Sequence, residues 1–259
     1  MALQTIEMER FYEKLPVCIS LIGFRRSGKS LATYKIVQYL VNRGAFKRII
    51  LFMGSERCNP ELVKLVKHKF DERLIFNSFS EEIIKKIVEQ QQKLREISED
   101  NTCLIVFDDC YTALGRNLPG INKIFQAGRH YLISCITVCV SWSDIAPSCR
   151  RSLDFAILYS NITLYDTQFL TRNFLNKNLI QTARYALKTN KLYTGLVIQT
   201  CPVQTLFLLK FKKRETGNTL TENSQTVRLN KTDSPETQSL EEVDESAHVE
   251  LNEKNPVEI

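Results

Sequence analysis

Residues 17–30 read Val-Cys-Ile-Ser-Leu-Ile-Gly-Phe-Arg-Arg-Ser-Gly-Lys-Ser, and the fold turns on them. Val17–Phe24 is an apolar run of strand length. Lys29–Asn42 then places Leu31, Tyr34, Ile36, Val37, Leu40 and Val41 near helical spacing, with Gly44 as the stop. Between them Gly23–Ser30 fits GxxxxGK[ST], in the strand–loop–helix setting that pattern requires. Glycines at both ends let the loop turn tightly, so that backbone N–H groups face inward around a phosphate chain. The helix N-terminus adds partial positive charge. Gly23, Phe24, Arg25, Arg26, Ser27, Gly28, Lys29 and Ser30 are thereby assigned to nucleotide binding. Lys29 is expected to reach the β- and γ-phosphates of ATP, and the Ser30 hydroxyl to take a place on Mg2+. Arg26 stands where glycine is common.

Downstream, Thr102–Cys110 reads TCLIVFDDC: four apolar residues running into two acids. A buried strand ending in a carboxylate beside the phosphate loop is what a magnesium site needs, so Asp108 is expected to hold the ion through water. Asp109 points differently and could orient and deprotonate the attacking water. The plainer reading is a strand that ends in solvated acids. One strand, Arg48–Met53, and two helices lie between the two motifs, enough to insert a strand between the motif strands. That insertion and the second acid mark the additional-strand class of P-loop ATPases.

The rest of the chain alternates in the same way. Helices are expected at Pro60–Phe70, at Ser80–Ile97 with Ser80 as its cap, at Thr163–Asn176 and at Leu179–Lys188. Strands are expected at Leu74–Phe76, Ile133–Val140, Phe155–Tyr159, Leu192–Gln199 and Thr205–Lys210. Continuous rather than alternating hydrophobicity implies strands buried on both faces. The predicted fold is a three-layer α/β P-loop domain over residues 16–214, its mostly parallel sheet covered by helices on both faces. A short extension (1–15) precedes it and an acidic, disordered tail (215–259) follows.

Residues 215–259 carry eleven acids and three bases, whereas residues 1–214 carry 32 bases and 18 acids. A basic body suits a phosphate backbone, although a generally soluble basic surface would look the same. No apolar run approaches the length that spans a bilayer, and acids stand where a signal peptide would need bases, so a soluble intracellular protein without a membrane partner is expected. The eight cysteines include no metal-binding spacing and are read as mostly buried free thiols.

LIGFRRSGKS, LIVFDDC and Gly128-Arg129-His130-Tyr131-Leu132-Ile133-Ser134, with Pro147-Ser148-Cys149-Arg150 and Asp154 further on, together resemble one family. It is that of the DNA-packaging ATPases of poxviruses, other large DNA viruses, virophages and Polinton-like elements, within the FtsK–HerA superfamily. The resemblance covers about residues 16–160, and more weakly the last two strands. It implies ATP-driven movement of double-stranded DNA into a preformed capsid by a homo-oligomeric ring at a viral assembly site or in the virion, with a capsid or portal protein as a further partner. It carries Lys29 and Ser30 over as phosphate and magnesium contacts, Asp108 as the magnesium residue and Asp109 as the catalytic acid. Arg129 and Arg150 carry over as family positions, either of which could be a finger reaching a neighbouring subunit; surface salt bridges are the alternative for both.

The family usually ends the strand after Gly-Arg-His-Tyr with a polar sensor, typically Gln. Here Val140-Ser141-Trp142-Ser143 stands there, leaving Ser141 or Ser143 as substitutes. Arg150-Arg151 and the Lys210–Arg214 cluster are the basic segments available to DNA. A phosphotransferase of the nucleotide-kinase kind, or a non-hydrolysing nucleotide switch, are the competing functions; the first would need an arginine-rich lid, which is not visible.

Overall fold

The computed structural model describes residues 3–54, 59–97, 100–110, 114–159, 162–191 and 193–211. Cys58, Lys212–Arg214 and the expected acidic tail lie outside the described residues.

In chain order the elements are α1 (Glu9–Tyr12), β1 (Cys18–Ile22), α2 (Lys29–Asn42), β2 (Arg48–Met53), α3 (Pro60–Lys69), β3 (Ile75–Phe76), α4 (Glu81–Ile97) and β4 (Cys103–Asp108). They continue with α5 (Pro119–Ala127), β5 (Ile133–Cys139), α6 (Pro147–Arg150), β6 (Phe155–Tyr159), α7 (Leu164–Phe169), α8 (Ile180–Thr189), β7 (Thr194–Gln199) and β8 (Thr205–Lys210). The strands form one sheet in the order β3-β2-β4-β5-β1-β6-β7-β8. It is parallel from β3 through β6, and β7 and β8 are added antiparallel. The strand inserted between β1 and β4 is β5, which follows both in sequence. Arg48–Met53 instead pairs with the outer side of β4.

Successive residues of a strand face opposite sides of the sheet, and here both sides are dry. On β4, Ile105 and Phe107 pack with Ile84, Ile87, Ile121 and Ile124 of α4 and α5, while Leu104 and Val106 pack with Ile36, Leu40, Leu62 and Val66 of α2 and α3. This double burial is why the central strands are apolar throughout. Phe52 stacks between Phe76 and Phe107, at 5.0 and 5.3 Å, tying β3, β2 and β4 together on one face. Truncating Phe107 to Ala there would cost about 3–5 kcal/mol.

Three local features depart from the expected pattern. Residues 3–15, read as an extension, pack into the domain: Thr5 bridges to Leu208, and Ile6 and Phe11 are buried in the core. α5 was not anticipated. Pro119 sits in its first turn, and Gly120 lies so close to α4 that a Cβ would be 2.7 Å from Ile84 Cγ2. Thr163–Asn176 is not one helix, because after α7 the chain widens into a π turn at Leu170–Phe174. That widening brings both Phe169 and Phe174 onto the ring of Trp142, with centroids 6.4 and 4.8 Å away.

Candidate active site

The parallel register brings the ends of β4, β5 and β1 to one edge of the sheet. Asp108 pairs with Val138, and Cys139 pairs with Ile22, the last residue before the glycine loop. The loop closes against its neighbour through Gly23 N–H, which donates to Cys139 O at 3.3 Å. Gly23 has no room for a side chain, since a Cβ would lie 2.8 Å from Tyr159 Cβ. Arg26 adopts the left-handed conformation (φ 63°), which explains why glycine is common at this place. Gly28, also left-handed at φ 109°, turns the chain into α2.

Lys29 Nζ donates to the carbonyls of Gly23 (2.5 Å) and Phe24 (2.8 Å), so the ammonium lies over the loop. Burial holds its pKa below the ordinary value, against the pull of Asp108 and Asp109. A cleft of about 470 Å3 opens here, lined by the loop arginines, Lys29, Ser30, Asp108, Asp109, the end of β5 and Tyr193. A second recess shares Arg25, Asp109 and Val140 with it and continues to Phe24, Ser141 and Asp144.

Asp108 is buried and keeps Oδ2 without a hydrogen-bond partner. Burial, reinforced by the charge of Asp109, raises its pKa to about 6, while a hydrogen bond from Asn59 and the charge of Lys29 act the other way. An orphaned carboxylate oxygen in the same cleft as Ser30 fits a magnesium ion. Among the described residues no cluster of three His, Cys, Asp or Glu side chains could hold a metal unaided. Mg2+ is usually held by one or two carboxylates together with water and substrate phosphates, so a site with one buried carboxylate suits it. Asp109 is exposed and left-handed (φ 61°), turned away from its buried neighbour.

Asn59 was not singled out from the sequence. Its side chain accepts from Leu62 N–H at 3.4 Å as the cap of α3, and its amide donates to Ser30 O at 3.2 Å. It thus ties α3 to the first turn of α2 and to Asp108. The Asn59-Pro60 pair signals a helix start, but nothing local reveals the lateral reach.

Two predicted positions are placed elsewhere. Arg129 ion-pairs with buried Asp154, whose other oxygen accepts Cys18 N–H at 2.8 Å. This contact sits at the start of β1, roughly 16 Å along the strand from the loop. Arg150 donates from Nε to Ile145 O at 2.6 Å, and its guanidinium covers the Phe169 ring at 4.8 Å. Neither lines the cleft of its own chain. Ser141, offered as a substitute for the absent Gln, caps the turn at Trp142–Asp144, and its hydroxyl donates to Asp166 Oδ1 at 2.8 Å. The cysteines described are free thiols, all buried except Cys201. No helix among the described residues is long and apolar enough to cross a membrane.

Several solved structures share this fold. The genome packaging NTPase B204 of Sulfolobus turreted icosahedral virus 2, in complex with ATPγS, is 20% identical with a TM-score of 0.58, and the match covers 75% of this chain and 98% of that one. The DNA-packaging ATPase B204 of Sulfolobus turreted icosahedral virus is 17% identical with a TM-score of 0.59, over 76% and 98%. EssC (ATPases 2 and 3) from Geobacillus thermodenitrificans is 15% identical with a TM-score of 0.50, over 77% and 41%. No curated protein matches the sequence. The sequence profile described as Poxvirus A32 protein, by contrast, matches residues 8–193. That span runs from α1 through the phosphate loop and the paired acids to Tyr193, so the chain belongs to the poxvirus A32 protein family.

Proposed function

We propose that this chain is an ATP-driven motor that packages a viral DNA genome. The observation that carries the reading is the convergence, at one sheet edge, of the Gly23–Ser30 loop with buried Asp108 and exposed Asp109, in a chain of the A32 family. The fold it shares with viral packaging ATPases supports the same conclusion.

In this reading the loop N–H groups and Lys29 bind the β- and γ-phosphates, and Ser30 and Asp108 hold Mg2+. Mg2+, when bound, neutralises charge that builds on the phosphoryl oxygens. Asp109 orients water for attack and accepts its proton. Arg129 and Arg150 are engaged within their own chain, so neither serves its own cleft, and a role for either at a γ-phosphate would require a neighbouring copy. Double-stranded DNA is the proposed track, held by its phosphates on the basic body (residues 1–214) in a homo-oligomeric ring, with a capsid or portal protein as the docking partner. Exposed Arg151 and Lys210 are the described basic residues nearest to that task.

One observation favours a second reading, a non-hydrolysing nucleotide switch: the Ser141 hydroxyl, just past β5 in the recess beside the cleft, already donates to Asp166, so it does not take the place of the absent Gln. Steady-state ATP hydrolysis with and without double-stranded DNA, across a salt series and beside Lys29→Ala, separates the two. DNA-stimulated turnover that falls with salt and vanishes in Lys29→Ala is expected of the motor. Tight ATP binding without turnover, with or without DNA, would favour the switch.

A further inference from the structure

The strand order gives the cleft a direction. β4, with Asp108 and Asp109 at its end, lies two strands to one side of β1; β7 lies two strands to the other, each roughly 10 Å away along the sheet edge. The γ end of a bound triphosphate would face the acids, because Asp108 would hold the metal that neutralises the terminal phosphates and Asp109 would orient the water that attacks there. The nucleoside therefore leaves the loop on the β6–β7 side.

Tyr193 stands there, immediately before β7, and lines the cleft that holds Lys29 and Ser30. Its ring lies against Gly28, where an added Cβ would be 2.8 Å from Tyr193 Cδ1. It is also left-handed, at φ 63°, a conformation that a bulky residue adopts only when its surroundings impose it. The surroundings are visible: Thr194 N–H donates to Lys191 O at 3.1 Å, and Phe211 N–H donates to Tyr193 O at 3.3 Å. Outliers of this kind concentrate where a side chain must be aimed. Here the strained turn aims an aromatic ring, half-buried, over the helix N-terminus that receives the phosphates. Tyr159 packs against Gly23, Gly28 and Gly195 nearby, and the ring of Tyr193, backed by Gly28, borders the cleft.

We propose that Tyr193 is the nucleoside platform of the site, stacking the base of the bound nucleoside triphosphate. The inference rests on the ATP-site reading above and adds the residue that distinguishes a nucleotide from a bare phosphate chain. The π-face of the ring does this work, so the hydroxyl is dispensable. Among the described residues lining the two recesses, the other aromatic side chain, Phe24, is exposed and lies on the acid side, where the γ-phosphate is expected.

The test compares the affinity of the full-length protein for Mg·ATP with its affinity for magnesium tripolyphosphate, which has the phosphates and no nucleoside. Wild-type protein is expected to prefer ATP by about ten- to a hundredfold, the worth of one base–aromatic stack. Tyr193→Phe should keep that preference. Tyr193→Asn, which tolerates the left-handed turn but lacks the ring, should lose most of it while binding tripolyphosphate as before. An unchanged preference for ATP in Tyr193→Asn, or its loss in Phe24→Ala instead, would overturn the inference and leave the ATP site standing. Wild-type protein that binds neither compound would overturn the ATP-site reading and this inference together.

Discussion

Asp108 and Asp109 are consecutive in the chain and sit in opposite media. Asp108 closes β4 within the sheet, 5% exposed, with one carboxylate oxygen unpartnered; Asp109 leaves the strand in a left-handed turn and projects into the open cleft. Peptide geometry accounts for the split, because neighbouring strand residues face opposite ways and the turn swings the second one further out. The buried acid is suited to a cation that offsets its desolvation. The exposed one stands in the open cleft within reach of an attacking water.

Asp109→Asn should therefore bind Mg·ATP with near wild-type affinity and hydrolyse it at least about a hundredfold more slowly, since a positioned base is worth on the order of 10²–10⁴ in rate. Equilibrium nucleotide binding and phosphate release on the same preparation check this. Loss of magnesium-dependent affinity with residual turnover would show that the two acids have exchanged roles.

Asp108 makes the metal-free protein sensitive to pH. Its folded-state pKa lies above the ordinary 3.8, at about 6, so the folded protein holds this proton more tightly than the unfolded chain does. Its contribution to stability is then greatest below the ordinary value, falls as pH rises between the two values, and is flat above about 6, a swing of about 2–3 kcal/mol. Asp108→Asn should abolish this segment of the pH profile and melt above wild-type protein at pH 7 in EDTA, while losing the magnesium dependence of nucleotide binding. A wild-type melting temperature that rises through this window would contradict the burial argument.

The phosphate loop, the acid pair and the run of buried strands were legible because each is written in contiguous residues: a spacing, a doublet, an apolar run. What escaped depends on contacts between distant segments. Gly120, in the unanticipated α5, is there because α4 passes too close for a Cβ, and Gly120 N–H donates to Glu81 Oε1 at 2.6 Å. The strand inserted beside β1 was not Arg48–Met53, since order within a sheet is set by which faces the crossovers cover and not by position in the chain. Arg129 carries a family motif, but only the register of β1 and β6 shows that its partner is the acid at their common start.

That contact predicts a stability phenotype for Arg129. Asp154 is buried, and burial raises its pKa against the hydrogen bond from Cys18 and the charge of Arg129. Removing the arginine leaves a carboxylate that must either lose its charge or draw in water. The Arg129 side chain is 55% exposed, so the cost is less than for a fully buried pair, roughly 1–3 kcal/mol. Arg129→Ala should accordingly lower the melting temperature, and Arg129→Ala/Asp154→Asn should recover part of it. A variant that melts like wild-type protein but has lost DNA-stimulated turnover would point instead to a finger acting in a neighbouring subunit.

Asn59 offers the sharpest separation of structure from chemistry, because its two ends do different things. The oxygen caps α3, and the amide reaches Ser30 O and the Asp108 carboxylate. Serine is as good a helix cap as asparagine but is too short to reach across. Asn59→Ser should leave stability within about 1 kcal/mol of wild-type protein. Its affinity for Mg2+ in the presence of ATP should fall about tenfold, as expected when a ligand loses the group that orients it. Nucleotide binding in EDTA should not change. A magnesium titration of ATP binding, read beside thermal melts, distinguishes the cases: a variant that melts lower with unaltered magnesium dependence would reduce Asn59 to a helix cap.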